Sequence, residues 1–129
     1  MVLLKSLFNS NDMIEKIGVG IDISNISDFK KIPYQKKPKF YQSIFQLSEI
    51  NYCLNFQDSS SHFAGKFSLK EAVKKSISED IYISKIETSH VNSKPMITLL
   101  DSTKNYIFRA SVSHEGNHAI AIVISELIN

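Results

Sequence analysis

Glu71 and Lys75 stand one helical turn apart in Phe63-Ala-Gly-Lys-Phe-Ser-Leu-Lys-Glu-Ala-Val-Lys-Lys-Ser-Ile77, a run whose pattern predicts a helix. At about 100° per residue the two share an arc with Ala64, Phe67 and Ser68, so a carboxylate and an ammonium leave a half-apolar surface. The small Ala64 and Ser68 leave room for something to approach Glu71. Lys66, Lys70 and Lys74 form a second row at i, i+4 and i+8, which sets like charges side by side at a cost to an isolated helix. A polyanion lying along the helix would offset that repulsion. The plainer alternative is an i, i+4 salt bridge between Glu71 and Lys75 with a solvated lysine face.

A second carboxylate is set in a different kind of element. Glu15 to Ser24 alternates as a strand, with Val19, Ile21 and Ile23 on one face and Gly18, Gly20 and Asp22 on the other. Two glycines on one strand face mark close approach of a ligand or of another backbone. Either a bound molecule reaches Asp22 across that bare face, or a helix packs onto the glycines.

The elements that must position these groups follow from the rest of the pattern. Residues 1–15 form a mixed polar and apolar extension, and residues 16–129 a single domain. Asp28 to Phe40 reads as a loop carrying the basic run Lys36-Lys37-Pro38-Lys39, a solvated segment or a patch for a partner. Short helices are expected near 39–46 and 48–56, the second capped by Ser48 with Asn51 as its N3 partner. Asp58 and the serines after it cap a long helix over about 61–78. Ile81 to Glu87 and Pro95 to Leu100 read as strands, and Tyr106–His114 and Ala119–Glu126 as a hairpin across Glu115-Gly116-Asn117. The fold class is α+β, a mostly antiparallel sheet packed against one long helix.

Composition limits the functions available. The chain has 129 residues, a net charge of +2 and one cysteine, Cys53, so no internal disulfide can form. Arg109 is the only arginine, and any phosphate site must rely on lysine point charges and backbone amides. Neither a spaced His/Cys set for zinc nor aromatics spaced for nucleic-acid stacking occurs. The opening apolar run is too short for a signal peptide and no stretch suits a membrane span, so a cytoplasmic protein is expected, with neither membrane nor nucleic acid as partner.

Three signals in order carry a resemblance: Gly18-Val-Gly-Ile-Asp-Ile23, Phe63-Ala-Gly-Lys-Phe-Ser-Leu-Lys-Glu-Ala-Val-Lys-Lys75, and Val112-Ser-His-Glu115 leading into an apolar strand. Together they resemble the holo-acyl-carrier-protein synthase family of 4′-phosphopantetheinyl transferases, from about Gly18 to Glu126. Lys94-Pro95 also matches the family's Gly-Lys-Pro turn, with Ser93 where glycine is usual. The resemblance implies Mg²⁺-dependent transfer of phosphopantetheine from coenzyme A to a serine of an acyl carrier protein, releasing 3′,5′-adenosine bisphosphate. A homotrimer with interfacial sites and a place in fatty acid and lipid metabolism are implied with it. Asp22 and Glu71 match the metal ligands, and Lys75 matches the lysine at the transferring phosphate. Lys66, Lys70, Ser113 and His114 are implied to contact coenzyme A, Lys66 standing where the family commonly has arginine. The pair of carboxylates suits Mg²⁺, which binds one or two of them plus water and substrate phosphates. The general base is left open by these residues.

Two departures point to an alternative, a non-catalytic relative that binds a carrier protein or coenzyme A. Asp28 stands where the family has a basic residue. Ser76-Ile-Ser-Glu-Asp80 replaces a glycine-rich loop, and Glu79 and Asp80 would repel a phosphate if they faced it.

Overall fold

Gly18 and Gly20 decide how the long helix meets the sheet. A Cβ at Gly18 would lie 1.6 Å from the Ser76 carbonyl oxygen, and one at Gly20 1.8 Å from that of Ala72. The bare strand face is therefore filled by a helix backbone and not by a ligand, because only glycine admits so close an approach. The computed structural model describes residues 16–128, and the extension expected over residues 1–15 lies outside the described residues.

Strands β1 (Ile17–Asn25), β4 (Asn105–Glu115) and β5 (His118–Ile128) form an antiparallel sheet in the order β1-β5-β4. Helix α4 (Ser59–Ser76) crosses one face of it, capped by the Asp58 carboxylate, which accepts from the Ser61 amide at 3.3 Å. Ala119, Ala121 and Val123 of β5 are buried beneath the helix. Ala64 and Ser68 do have a close neighbour, and it is the sheet: Ser24 Oγ reaches the Ala64 carbonyl at 3.0 Å and Ser68 Oγ at 2.6 Å.

Three short helices, α1 (Ile26–Lys31), α2 (Pro38–Gln42) and α3 (Leu47–Leu54), wrap the N-terminal half of α4 around an aromatic core of Phe29, Tyr41, Phe45 and Phe63. Helix α1 occupies part of the segment expected to be loop, with Asp28 in its first turn and Lys30 and Lys31 in its last, as the helix dipole favours. The cap of α3 also differs from expectation: Gln46 and Glu49 form the capping box, in place of Ser48 and Asn51.

A separate hairpin pairs β2 (Ile86–Val91) with β3 (Lys94–Leu99). The expected strand from Ile81 starts later, since Ile83–Lys85 makes a 3₁₀ turn. Asn92 and Ser93 turn the hairpin with φ of 51° and 66°, so Ser93 takes a left-handed conformation better suited to glycine. The α+β class holds, with the strands divided between two sheets. Among the described residues no helix is long and apolar enough to cross a membrane.

Candidate active site

Asp22 leaves β1 on the glycine face, at the edge of helix α4, where Lys75 reaches it. The Lys75 ammonium donates to Asp22 Oδ1 at 3.1 Å and to the Ile21 carbonyl at 3.1 Å. It does not pair with Glu71, so the i, i+4 bridge of the plainer alternative is absent. The Asp22 side chain is only 14% exposed. Its Oδ2 is buried and has no hydrogen-bond partner among the described residues. The Glu71 carboxylate, half-buried one turn before Lys75, has neither an ion pair nor a hydrogen bond among them. A buried acceptor left unpaired, as Asp22 Oδ2 is, is costly unless a ligand completes it, whereas the half-buried Glu71 carboxylate is reachable by solvent. Among the described residues no three His, Cys, Asp or Glu side chains converge as a metal cage.

The lysine row is a correction to the sequence reading. Lys70 is 0% exposed and its ammonium is bound to the Glu49 carboxylate at 2.6 Å. Lys66 is 4% exposed and donates to the Thr88 carbonyl at 3.1 Å and its hydroxyl at 2.9 Å. Lys74 donates to the Ile81 carbonyl at 3.0 Å. Lys66 and Lys70 point into the seam between α4, α3 and β2, and the half-buried Lys74 is tied to the segment before β2, so the row is not a continuous solvated face along which a polyanion could lie. Lys70 cannot meet coenzyme A while its charge is held inside by Glu49.

On the other side of α4 a cavity of about 640 Å³ opens between the helix, β4 and the β2–β3 hairpin. Lys66 and His114 border it, whereas Asp22, Glu71, Lys75 and Ser113 do not. His114 Nε2 lies 3.0 Å from the Ser61 carbonyl oxygen. Gly65 admits it there, since a Cβ at that position would come within 3.1 Å of the ring. Ser113 is exposed on the opposite face of β4, paired with Ile120. It cannot join His114 in one site of a single chain.

Residues that the sequence reading passed over complete the wall. Tyr52 stacks on His90 at 5.0 Å, His62 stacks on Phe56 at 3.7 Å, and the Lys66 ammonium sits 4.7 Å from the Tyr52 ring centre. A signal was available for Glu49 and Tyr52: with Cys53 they recur at i, i+3 and i+4, a buried face that includes an acid. For His62 and His90 no local signal exists. Burial holds both histidines below the usual imidazole range, helped by His114 at His62 and by Lys66 at His90. Burial also pushes the Cys53 thiol up to about 12, so it stays protonated and is no nucleophile.

The histidines give a pH dependence with a definite sign. Their folded values are depressed, so the unfolded chain takes up protons first. The stability they contribute is complete above about pH 6.5 and is lost as pH falls through the folded values. The melting temperature should fall on acidification, and His62→Phe with His90→Phe should flatten the fall. An identical pH profile in that double variant would contradict the assignment.

Comparison with known proteins adds to this geometry. A family model described as the 4′-phosphopantetheinyl transferase superfamily matches residues 18–123. The chain belongs to that superfamily. A holo-[acyl-carrier-protein] synthase of Helicobacter pylori is 36% identical over 116 residues, covering 82% of this chain and 94% of its own. One from Thermodesulfovibrio yellowstonii is 32% identical over 115 residues, covering 87% and 98%. Among solved structures, the Helicobacter pylori synthase in complex with coenzyme A superimposes with a TM-score of 0.69 at 33% identity, covering 84% of this chain and 99% of the other. The Bacillus anthracis synthase in complex with CoA (3′,5′-ADP) gives a TM-score of 0.71 at 28% identity, covering 84% and 95%. The chain is thus a phosphopantetheinyl transferase of the holo-acyl-carrier-protein synthase family. In this transferase the Glu79 carboxylate is engaged within the chain, accepting from the Ser102 hydroxyl at 2.7 Å and from the Tyr106 hydroxyl at 3.1 Å.

Proposed function

We propose that this transferase moves the 4′-phosphopantetheine arm of coenzyme A onto a serine of an acyl carrier protein, with Mg²⁺, and releases 3′,5′-adenosine bisphosphate. The observation that carries this reading is the carboxylate pair of Asp22 and Glu71, one with a buried, unpartnered oxygen and the other without any partner among the described residues. The pair fits Mg²⁺, whose remaining positions belong to water and substrate phosphates. When bound, the ion neutralises charge on the pyrophosphate oxygens.

The chain's own residues then orient and balance charge. An ammonium has three donors, and Lys75 commits two of them to Asp22 and the Ile21 carbonyl, leaving one for a phosphate oxygen. The carrier serine oxygen forms the new bond to the β-phosphorus as the bond from that phosphorus to the bridging oxygen breaks. The departing bisphosphate keeps the electron pair and the bridging oxygen, and the serine hydroxyl proton is released to a base or to water. Lys66 and His114, bordering the cavity, receive the nucleotide end of coenzyme A. The exposed lysines Lys30, Lys31, Lys36, Lys37 and Lys39 offer an acidic carrier domain a docking surface. We place the reaction in the cytoplasm, within fatty acid biosynthesis.

The two halves of this site are set apart within one chain. Lys66 and Lys75, nine positions apart on α4, point to opposite sides of the helix at about 100° per residue. The cavity opens on β4, while Asp22 is on β1, with β5 between them. The outer sheet face is apolar, with Val19, Ile21, Ile23, Ile122 and Ile124 all exposed. A homotrimer that covers this face and brings one subunit's cavity beside another's carboxylates reconciles these facts.

Mass spectrometry of an apo acyl carrier protein incubated with the chain, coenzyme A and Mg²⁺ tests the reaction. A gain of one phosphopantetheine is expected, lost with EDTA and in Asp22→Ala. No gain on any carrier while coenzyme A still binds would overturn the reading in favour of a binding module.

A further inference from the structure

Glu49, Lys66, Lys70 and Thr88 form a buried cluster with more positive than negative charge. The Glu49 carboxylate accepts from Lys70 Nζ at 2.6 Å, the Gln46 amide at 2.8 Å, the Thr88 amide at 3.1 Å and the Thr88 hydroxyl at 2.6 Å. Lys66 has no direct contact with that carboxylate. It donates to the Thr88 hydroxyl oxygen at 2.9 Å, and the hydroxyl proton in turn points to Glu49. One carboxylate thus faces two ammoniums, the nearer paired with it and the farther linked through a hydroxyl.

An uncompensated buried ammonium is costly, and burial pulls Lys66 below the ordinary lysine range. Its outlet is the cavity it borders. Two of its three donors are held by Thr88, and the third lies on the side of the cavity wall that it shares with the Tyr52 ring, 4.7 Å away, where a ligand in the cavity can meet it. Without Thr88 the flexible four-carbon stem would carry its charge through many rotamers.

We infer that Thr88 is a positioning residue for coenzyme A binding, fixing the Lys66 ammonium at the cavity wall through a hydroxyl relay anchored on Glu49. The inference rests on the proposed role of Lys66 toward coenzyme A. It predicts that removing the Thr88 hydroxyl alone weakens coenzyme A binding through Lys66 and leaves the carrier protein's binding and the chemical step in place.

A double-mutant cycle on steady-state transfer tests it. Thr88→Val, which keeps the side-chain shape, should raise KM for coenzyme A about ten-fold, the scale of one hydrogen bond to a charged group. Its kcat and its KM for the carrier should stay within about twofold of wild type, and Thr88→Ser should restore the coenzyme A KM. In a Lys66→Ala background Thr88→Val should add nothing, as expected when one residue acts through the other. Thr88→Ala carries the same cycle if the valine variant does not fold. Multiplying effects of the two substitutions would overturn the inference, as would a fall in kcat that tracks melting temperature with KM unmoved. If Lys66→Ala leaves the coenzyme A KM unchanged, the proposed role of Lys66 fails and the inference with it. If Lys66→Ala shifts KM and Thr88→Val does not, only the inference fails.

Discussion

Glu71→Gln should lower the rate of phosphopantetheine transfer by about 100- to 1,000-fold, the scale seen when one electrostatic contributor to a transition state is removed. The apo fold should melt at the wild-type temperature. The rate loss follows from the proposed role of Glu71 as a metal ligand, and the unchanged melting from the absence of any ion pair or hydrogen bond to its carboxylate among the described residues. Glutamine keeps the volume and removes only the anionic ligand. Coenzyme A and Mg²⁺ together should raise the melting temperature of the wild type more than either alone, by mass action, and this synergy should vanish in the variant. Asp22→Asn is the informative contrast. It weakens the Lys75 contact at 3.1 Å as well as the ligand set, so its apo fold should respond where that of Glu71→Gln does not. A Glu71→Gln protein with unchanged synergy would remove Glu71 from the metal site.

Helix α4 shows which parts of the site were legible in the sequence and which were not. Its existence, its Asp58 cap and the shared arc of Glu71 and Lys75 are local, set by periodicity over a few residues. The fate of its charges is not local. Lys75 pairs with Asp22 across 53 positions and Lys70 with Glu49 across 21, and no pattern within the helix encodes either partner. The same distance hid the relay, because Thr88 meets Lys66 only after the hairpin folds back onto α4. The lysine row therefore read as solvated or ligand-bound, when long-range packing had enclosed it.

The glycine strand shows a subtler limit. Its alternation was legible, and so was the meaning of glycine as a point of close approach. Which face turned inward was not. Apolar faces ordinarily turn to the core. Here the glycine face is buried, because the helix backbone reaches the strand, and the face of Val19, Ile21 and Ile23 is left in solvent. Sequence alone could not foresee that inversion, since it depends on how deeply α4 sits.

That inversion supplies the second large effect: Ile122→Lys should give a monomer of 14.6 kDa by light scattering and should lose transfer activity, where the wild type should run at three times that mass. Ile122 lies on the central strand of the outer face, opposite Ile21 on β1 and Ser111 on β4. It is 42% exposed and Ile21 is 59% exposed, so a lysine there costs the isolated subunit little. In an assembly that covers the face, the same ammonium would be buried without a partner, at a penalty on the order of several kcal/mol per ion. Activity should fall with assembly because the cavity bordered by Lys66 and His114 opens away from Asp22, Glu71 and Lys75 within one chain. Substitution of Glu126 by lysine, a charge already in solvent at the rim of that face, is the control and should perturb assembly far less. A fully active Ile122→Lys monomer would show that one chain holds the whole site, and the two halves would then have to be joined around α4 by the ligand itself.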